Sequence, residues 1–176
     1  MSTVSTSKAQ VRVHIRWMIR RDMPEVLAIE HAGFEFPWCE EEFLRVLRQR
    51  NCIGMVAELG ERVVGFMIYE LHKNKLNVLD FAVHPEFRRG AVGQQMVDKL
   101  VGKLSSHRRT RIMLHVRETN LPAQFFYKTQ GFRAVELVRE HFQDSGEDAY
   151  LMSYLFDESV GDEPMPVNRI AKQLGH

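Results

Sequence analysis

The stretch Phe81-Ala82-Val83-His84-Pro85-Glu86-Phe87-Arg88-Arg89-Gly90-Ala91-Val92-Gly93-Gln94 decides the fold. An apolar run from Leu76 to Val83 reads as a strand, and it stops at Pro85, which has no N–H for a ladder. A basic, glycine-containing turn from Arg88 to Gly93 follows. Val92, Met96, Val97, Leu100, Val101 and Leu104 then recur at helical spacing. A strand, turn and helix in this order aim backbone N–H groups and a positive helix end at one point, which makes an anion site. Small residues let a phosphate approach the main chain, and Arg88 and Arg89 offer charge-assisted contacts. The turn is not a P-loop, because no Gly-Lys-Ser/Thr closes it. Nor is it a dinucleotide-binding turn, because the third glycine and the downstream acidic residue are missing.

Working outward, Val11, Val13, Ile15, Trp17 and Ile19 alternate with polar residues, the period of a half-buried strand. Asp22 and Glu25 have capping-box spacing with Pro24 in the first turn, which predicts a helix through Ala32. Phe34 to Trp38 breaks that helix, and Phe43, Leu44 and Leu47 predict a second, short one. Ile53–Leu59 and Val63–Leu71 read as a hairpin around Gly60-Glu61. Downstream, Ile112–Val116 predicts a strand, and Asn120 caps a helix through Phe125, Phe126 and Tyr127 that ends at Gly131. Phe132–Val138 and Tyr150–Leu155 close the chain as a strand pair. The order β-α-α-β-β-β-α-β-α-β-β predicts an α/β (α+β) fold with a single mixed central sheet of about seven strands and four flanking helices.

At 176 residues and 20.6 kDa the chain has the size of one domain. Hydrophobic residues make up 44% and charged residues 27%, which excludes a wholly disordered or fibrous chain. With 24 basic and 23 acidic residues the net charge is +1, so no global field attracts nucleic acid or membrane. Arg45, Arg48 and Arg50, and separately His107, Arg108, Arg109 and Arg111, are local basic clusters without the aromatic interleaving of a stacking platform. Cys39 and Cys52 sit in apolar surroundings and favour a reducing compartment over a disulfide framework. Met1 to Gln10 lacks an apolar signal region, and no apolar run approaches the length of a membrane span. The histidines and cysteines show no metal-ligand spacing, and no Gly-x-Ser-x-Gly elbow occurs. A cytoplasmic domain over residues 11–156 is expected, between a flexible segment 1–10 and a tail 157–176, with no membrane or direct nucleic-acid partner.

The turn at 88–93 resembles the pyrophosphate-binding motif of the Gcn5-related N-acetyltransferase (GNAT) superfamily, Arg/Gln-x-x-Gly-x-Gly/Ala, with Arg88 first and Gly93 last. Within that superfamily the chain is most similar to the ribosomal-protein N-terminal-alanine acetyltransferases. Phe36-Pro37-Trp38 followed by Glu41 and Phe43 matches their first-helix loop, and Ala82-Val83-x-Pro85 their fourth strand. Val116-Arg117-x-x-Asn120 through Tyr127, then Gly131-Phe132, matches their second cofactor motif. Glu147-Asp148-Ala149-x-x-Met152 matches their final strand, so the similarity runs from Val11 to Leu155.

The resemblance implies the GNAT fold and acetyl-CoA as cosubstrate, without a metal. It implies that the backbone at Phe81, Ala82 and Val83 holds the acetyl and pantetheine portions. Arg88, Arg89, Gly90, Ala91, Val92, Gly93 and Gln94 then hold the diphosphate, Asn120 bonds the pantetheine arm, and Tyr127 also protonates the sulfur. Glu35, Phe36, Pro37 and Trp38, with the His141-Phe142 hairpin, are the implied acceptor contacts. The acceptor implied is a protein or peptide N-terminus, ribosomal proteins included. Four positions depart from the family. Ala91 replaces the central motif glycine and is expected to need a negative φ. His141-Phe142 replaces adjacent tyrosines. His115 stands where the alanine acetyltransferases have glutamate, and is similar in this to the eukaryotic subunit that acetylates Met-starting N-termini.

His115 shares a strand face with Met113 and Arg117, opposite Ile112, Leu114 and Val116, which turns it to the cleft. An imidazole with an ordinary pKa near 6.5 is a competent base at neutrality; Asp80 and Glu35 are alternatives acting through water. A phenol such as Tyr127 stays protonated at neutral pH and can donate to a forming thiolate. An α-amine has a pKa of about 7.7–8.0 and a lysine about 10.4, so deprotonating lysine is about 3.4 kcal/mol more demanding. A weak base therefore suits an N-terminal amine. The expected function is acetyl-CoA-dependent N-acetylation of a protein or peptide α-amine. Acetylation of a small amine or lysine, and a non-catalytic acyl-CoA sensor, stay open as alternatives.

Overall fold

The computed structural model describes residues 10–157; apart from Gln10 and Asp157, the segments expected at 1–10 and 157–176 lie outside the described residues. The elements are β1 (His14–Trp17), α1 (Met23–Gly33), α2 (Glu40–Leu47), β2 (Cys52–Leu59), β3 (Arg62–Leu71), β4 (Lys75–Val83), α3 (Val92–Val101), β5 (Arg111–Arg117), α4 (Leu121–Thr129), β6 (Arg133–Phe142) and β7 (Glu147–Leu155). The seven strands form one sheet in the order β1-β2-β3-β4-β5-β7-β6. All neighbours are antiparallel except β4 and β5.

That one parallel pair shapes the middle of the sheet. Its pairing ends at Val78 opposite Leu114, although β4 continues to Val83 and β5 to Arg117. β3 keeps hold of the far side of β4, with Gly65 opposite Val83, and β7 keeps hold of β5, with Ala149 opposite Arg117. Two strands anchored to different neighbours must part, and a wedge opens in the middle of the sheet. The register also slips at the parting point: Ile68 faces Asp80 and Tyr69 faces Val78, so Leu79 is the extra residue of a bulge.

Apolar alternation fills both faces. Ile112, Leu114, Val116, Leu76 and the inner stripe of α3 form one buried cluster, joined by Tyr127 and Phe132. Val26, Ile29, Phe43, Phe66, Ile68 and Ala82 form the other, under α1 and α2.

Two local expectations are corrected. Asp22 and Glu25 make no capping box. Instead Asp22 accepts two bonds from Arg16, at 2.7 and 2.8 Å, and one from the Ile19 N–H. The Arg16 guanidinium holds this buried carboxyl below the usual carboxylate range. Glu25 meanwhile accepts the Val63 N–H at 2.9 Å, joining α1 to β3. The capping contact appears at α2, where Glu42 accepts the Cys39 N–H at 2.8 Å. The first strand is also shorter than its alternation predicts, because beyond Trp17 the chain turns into a 3₁₀ segment at Arg20–Asp22 held by Asp22.

Candidate active site

The turn after β4 is built on left-handed backbone, but not at its glycine. Arg89 has φ 67° and Ala91 has φ 64°, whereas Gly90 does not have positive φ. The expectation of negative φ at Ala91 is therefore overturned. An alanine in this region carries strain of about 1–2 kcal/mol from its Cβ. The conformation persists because α3 must start here: the first helical bond runs from the Gln95 N–H to the Ala91 carbonyl, 3.1 Å. The N–H groups of Val92, Gly93 and Gln94 precede it and have no helical acceptor. These amides, with a small residue among them, fit a diphosphate. Gly93 also lets α4 close in, since a Cβ there would stand 3.1 Å from Phe126 Cζ.

Other side chains brace the turn. Gln95, not expected as a site residue, accepts the Val13 N–H at 3.1 Å and donates to the Val11 carbonyl at 2.6 Å. Arg88 donates its Nε to the Val83 carbonyl at 3.1 Å, tying the turn to the end of β4. Arg89 and Gln94 are exposed beside it. Replacing Ala91 with glycine relieves the Cβ strain and loses part of the gain to unfolded-chain entropy, a net stabilisation of about 0.5–1 kcal/mol. Urea denaturation reads this as a higher midpoint for Ala91→Gly with an unchanged slope; a lower midpoint contradicts the strain.

Tyr127 lies on the α3–α4 side of the wedge, 9% exposed, against Phe81, Phe126 and Phe132 at ring separations of 6.4, 5.2 and 5.4 Å. Among the described residues its hydroxyl has no hydrogen-bond partner. Burial pushes the phenol up, and the charge of Asp80 pushes it the same way, so Tyr127 holds its proton firmly. Asn120 caps α4, its side-chain oxygen accepting the Ala123 N–H at 3.2 Å, which leaves its amide N–H groups for a ligand. Phe81 and Val83 pack toward this cluster, whereas the Ala82 side chain turns to α1.

The opposite face of β5 carries His115 and Arg117, as the alternation predicts. The His115 ring stacks on His141 with centroids 4.0 Å apart and planes 11° apart. The interrupted pairing of β6, with Glu140 at φ 50° and its N–H on Asp148 at 2.8 Å, carries His141 onto β5. Desolvation first, then the like charge of His141, set against Glu136 and joined by Lys75, holds His115 below its ordinary pKa, although its side chain is exposed on the strand. No hydrogen bond joins His115 to Tyr127 among the described residues; they address the wedge from its two faces.

Arg117 was legible only as a motif letter, yet it gathers three separate segments beside the wedge. Its guanidinium lies 3.9 Å from the Phe142 ring centre and 5.1 Å from that of Phe36. Asp144 grips it at 2.6 and 3.0 Å and Glu147 at 3.3 Å, and Glu147 also accepts from Thr119. One cation thereby links β5, the α1–α2 loop and the β6–β7 hairpin. Trp38 is half-buried with its ring edge-on to Phe43 at 5.2 Å; Glu35 and Phe36 are exposed at the mouth. Two hollows of about 1010 and 700 Å³ open elsewhere, beside Arg111 and Arg133 and beside Leu121 and Phe125. Both are shallow and neither reaches the wedge, so chemistry rather than volume marks the site.

A family model described as the acetyltransferase (GNAT) family matches residues 20–132. The chain belongs to this family. It is 25% identical over 134 residues to the [ribosomal protein bS18]-alanine N-acetyltransferase of Escherichia coli K12, covering 75% of this chain and 90% of that protein. It is 26% identical over 166 residues to an N-alpha-acetyltransferase of Sulfolobus acidocaldarius, covering 87% and 98%. Among solved structures, Ard1 from Thermoplasma volcanium superposes with a TM-score of 0.74 at 25% identity, covering 82% of this chain and 98% of the other. The mixed seven-stranded sheet is thus the GNAT fold, and the protein is an acetyl-CoA-dependent N-acetyltransferase with the wedge as its candidate active site. Among the described residues of this GNAT enzyme no group of three or more His, Cys, Asp or Glu could hold a metal ion, and no helix is long and apolar enough to cross a membrane.

Proposed function

We propose that residues 11–156 transfer the acetyl group of acetyl-CoA directly to the α-amine of a protein or peptide N-terminus. The observation that carries this reading is a wedge, opened where β4 and β5 part, with the Tyr127 phenol on one face and the His115 imidazole on the other. Acetyl-CoA supplies a thioester carbon open to attack. Beyond Val78 the β5-facing main-chain groups of β4 have no strand partner, which frees them to hold the acetyl and pantetheine portions. His115 takes the proton released as the amine nitrogen bonds to that carbon. Tyr127 gives its proton to the sulfur as the carbon–sulfur bond breaks, and solvent restores it. Asn120 steadies the pantetheine arm and the amides of Val92, Gly93 and Gln94 hold the diphosphate. Glu35, Phe36, Pro37, Trp38, His141 and Phe142 receive the acceptor chain.

The choice of an α-amine rests on the weak base and on the names of the relatives above, a ribosomal-protein N-terminus among them. Two unpaired cysteines, one exposed and one buried, support a cytoplasmic site of action. A peptide panel tests the acceptor. Peptides with free N-termini release coenzyme A thiol, and the same peptides blocked at the N-terminus but carrying free lysines do not. Turnover confined to blocked lysine peptides or polyamines refutes the proposal.

A further inference from the structure

Glu30 on α1 and Asp80 on β4 are carboxyls placed inside the apolar cluster under α1 and α2, only 2% and 8% exposed. Neither has a Lys or Arg ion-pair partner among the described residues. Glu30 Oε2 and Asp80 Oδ2 are buried without a donor, yet the two carboxyls lie within hydrogen-bonding reach of each other. Two adjacent ionised carboxylates in such a place are strongly disfavoured. One shared proton removes the difficulty, since it gives both orphaned oxygens a partner and leaves the pair with a single negative charge.

The pair stands between the parts of the site. Glu30 Oε1 accepts the Trp38 N–H at 3.0 Å, which fastens the α1–α2 loop. Asp80 flanks the β4 bulge and precedes Phe81, and its field reaches Tyr127. We infer that Glu30 and Asp80 are positioning residues: a proton-sharing pair that holds the Trp38 loop against the acetyl-holding strand and so sets the affinity for the acceptor. The inference rests on the acceptor role given above to the loop at Phe36–Trp38. When the shared proton leaves as pH rises above the ordinary carboxylate range, two carboxylates repel in a buried space, Glu30 is pushed from its place, and Trp38 loses its tether. The groups facing Glu30 are His31, Glu42 and the Trp38 N–H; those facing Asp80 are Glu30, the Phe81 N–H and Tyr127.

The test uses Asp80→Asn and Glu30→Gln. Each supplies an amide N–H in place of the shared proton and has no proton to lose. In the wild type, KM for a free-N-terminus peptide rises about tenfold as increasing pH removes the shared proton, the size of one lost charge-assisted hydrogen bond. In either variant the rise shrinks to about twofold or less, while acetyl-CoA affinity follows the same pH course as wild type. Trp38 emission, read in a Trp17→Phe background because Trp17 is 72% exposed, titrates in parallel in the otherwise wild-type protein and stays flat with Asp80→Asn. The emission needs no acceptor, so loss of peptide turnover with an intact Trp38 titration condemns the acceptor reading and not the pair. Stability gives a second independent check. Burial and Glu30 raise the Asp80 pKa, so the stability this proton brings is complete below the ordinary carboxyl range and is lost as pH rises. Asp80→Asn should therefore gain on wild type in Tm as pH increases. A flat wild-type KM, an unchanged rise in both variants, or a pH-independent Tm difference overturns the inference.

Discussion

Tyr127→Phe lowers kcat by about 100-fold or more while acetyl-CoA affinity and thermal stability stay near wild type. The stability half follows from packing: the ring keeps its contacts with Phe81, Phe126 and Phe132, and the hydroxyl has no described partner to lose. The rate half follows from the leaving group. A thiolate departing into an aromatic, largely dry corner needs a proton at the moment the carbon–sulfur bond breaks. The Tyr127 phenol, pushed up by burial and by Asp80, is still protonated at any pH where an α-amine is free. The phenol therefore contributes no alkaline limb below pH 9. Steady-state rates with a free-N-terminus peptide, together with calorimetric titration of acetyl-CoA, separate the two halves. A variant with full kcat shows that water, not Tyr127, protonates the sulfur.

His115→Ala produces the second large loss, again about 100-fold in kcat, and it changes the pH profile. Burial and His141 hold the His115 pKa below its ordinary value, so its limb in wild-type kcat lies to the acid side of the limb that the free α-amine, with a pKa of about 7.7–8.0, adds to kcat/KM. Below that limb the imidazole is protonated and cannot take the amine proton; above it the base is available. His141→Phe keeps a stacked ring 4.0 Å away but removes its charge, and the limb moves up toward the ordinary histidine value. Profiles of kcat at saturating peptide between pH 5 and 9 for wild type and both variants decide the point. If His115→Ala keeps full activity from pH 6 to 9, the base is another group.

The order of strands and helices was readable because apolar periods of two and of 3.6 residues change over cleanly along the chain. Ile112, Leu114 and Val116 against Met113, His115 and Arg117 shows how far alternation reaches, since it assigned the faces of β5 correctly. The cradle was readable for the same local reason: strand, small basic turn and helix are consecutive. What was not readable depends on partners distant in sequence. Asp22 looks like a cap until Arg16 is brought beside it by β1. The sign of φ at Ala91 follows from the path between Phe87 and α3, which no residue identity in the turn dictates. Arg117 and Glu30 show no special spacing; their roles arise when the sheet sets Phe36 and Phe142 around one and Asp80 against the other.

The most direct measurement is a crystal structure of the protein with a conjugate whose coenzyme A sulfur is joined through an acetyl linker to the α-nitrogen of a peptide. The account predicts the diphosphate on the amides of Val92, Gly93 and Gln94 and the linker between β4 and β5 beside Tyr127. The peptide should leave past His115 between Trp38 and Phe142. A conjugate that binds with its peptide on the α3–α4 side, or with its diphosphate away from the turn after β4, contradicts it.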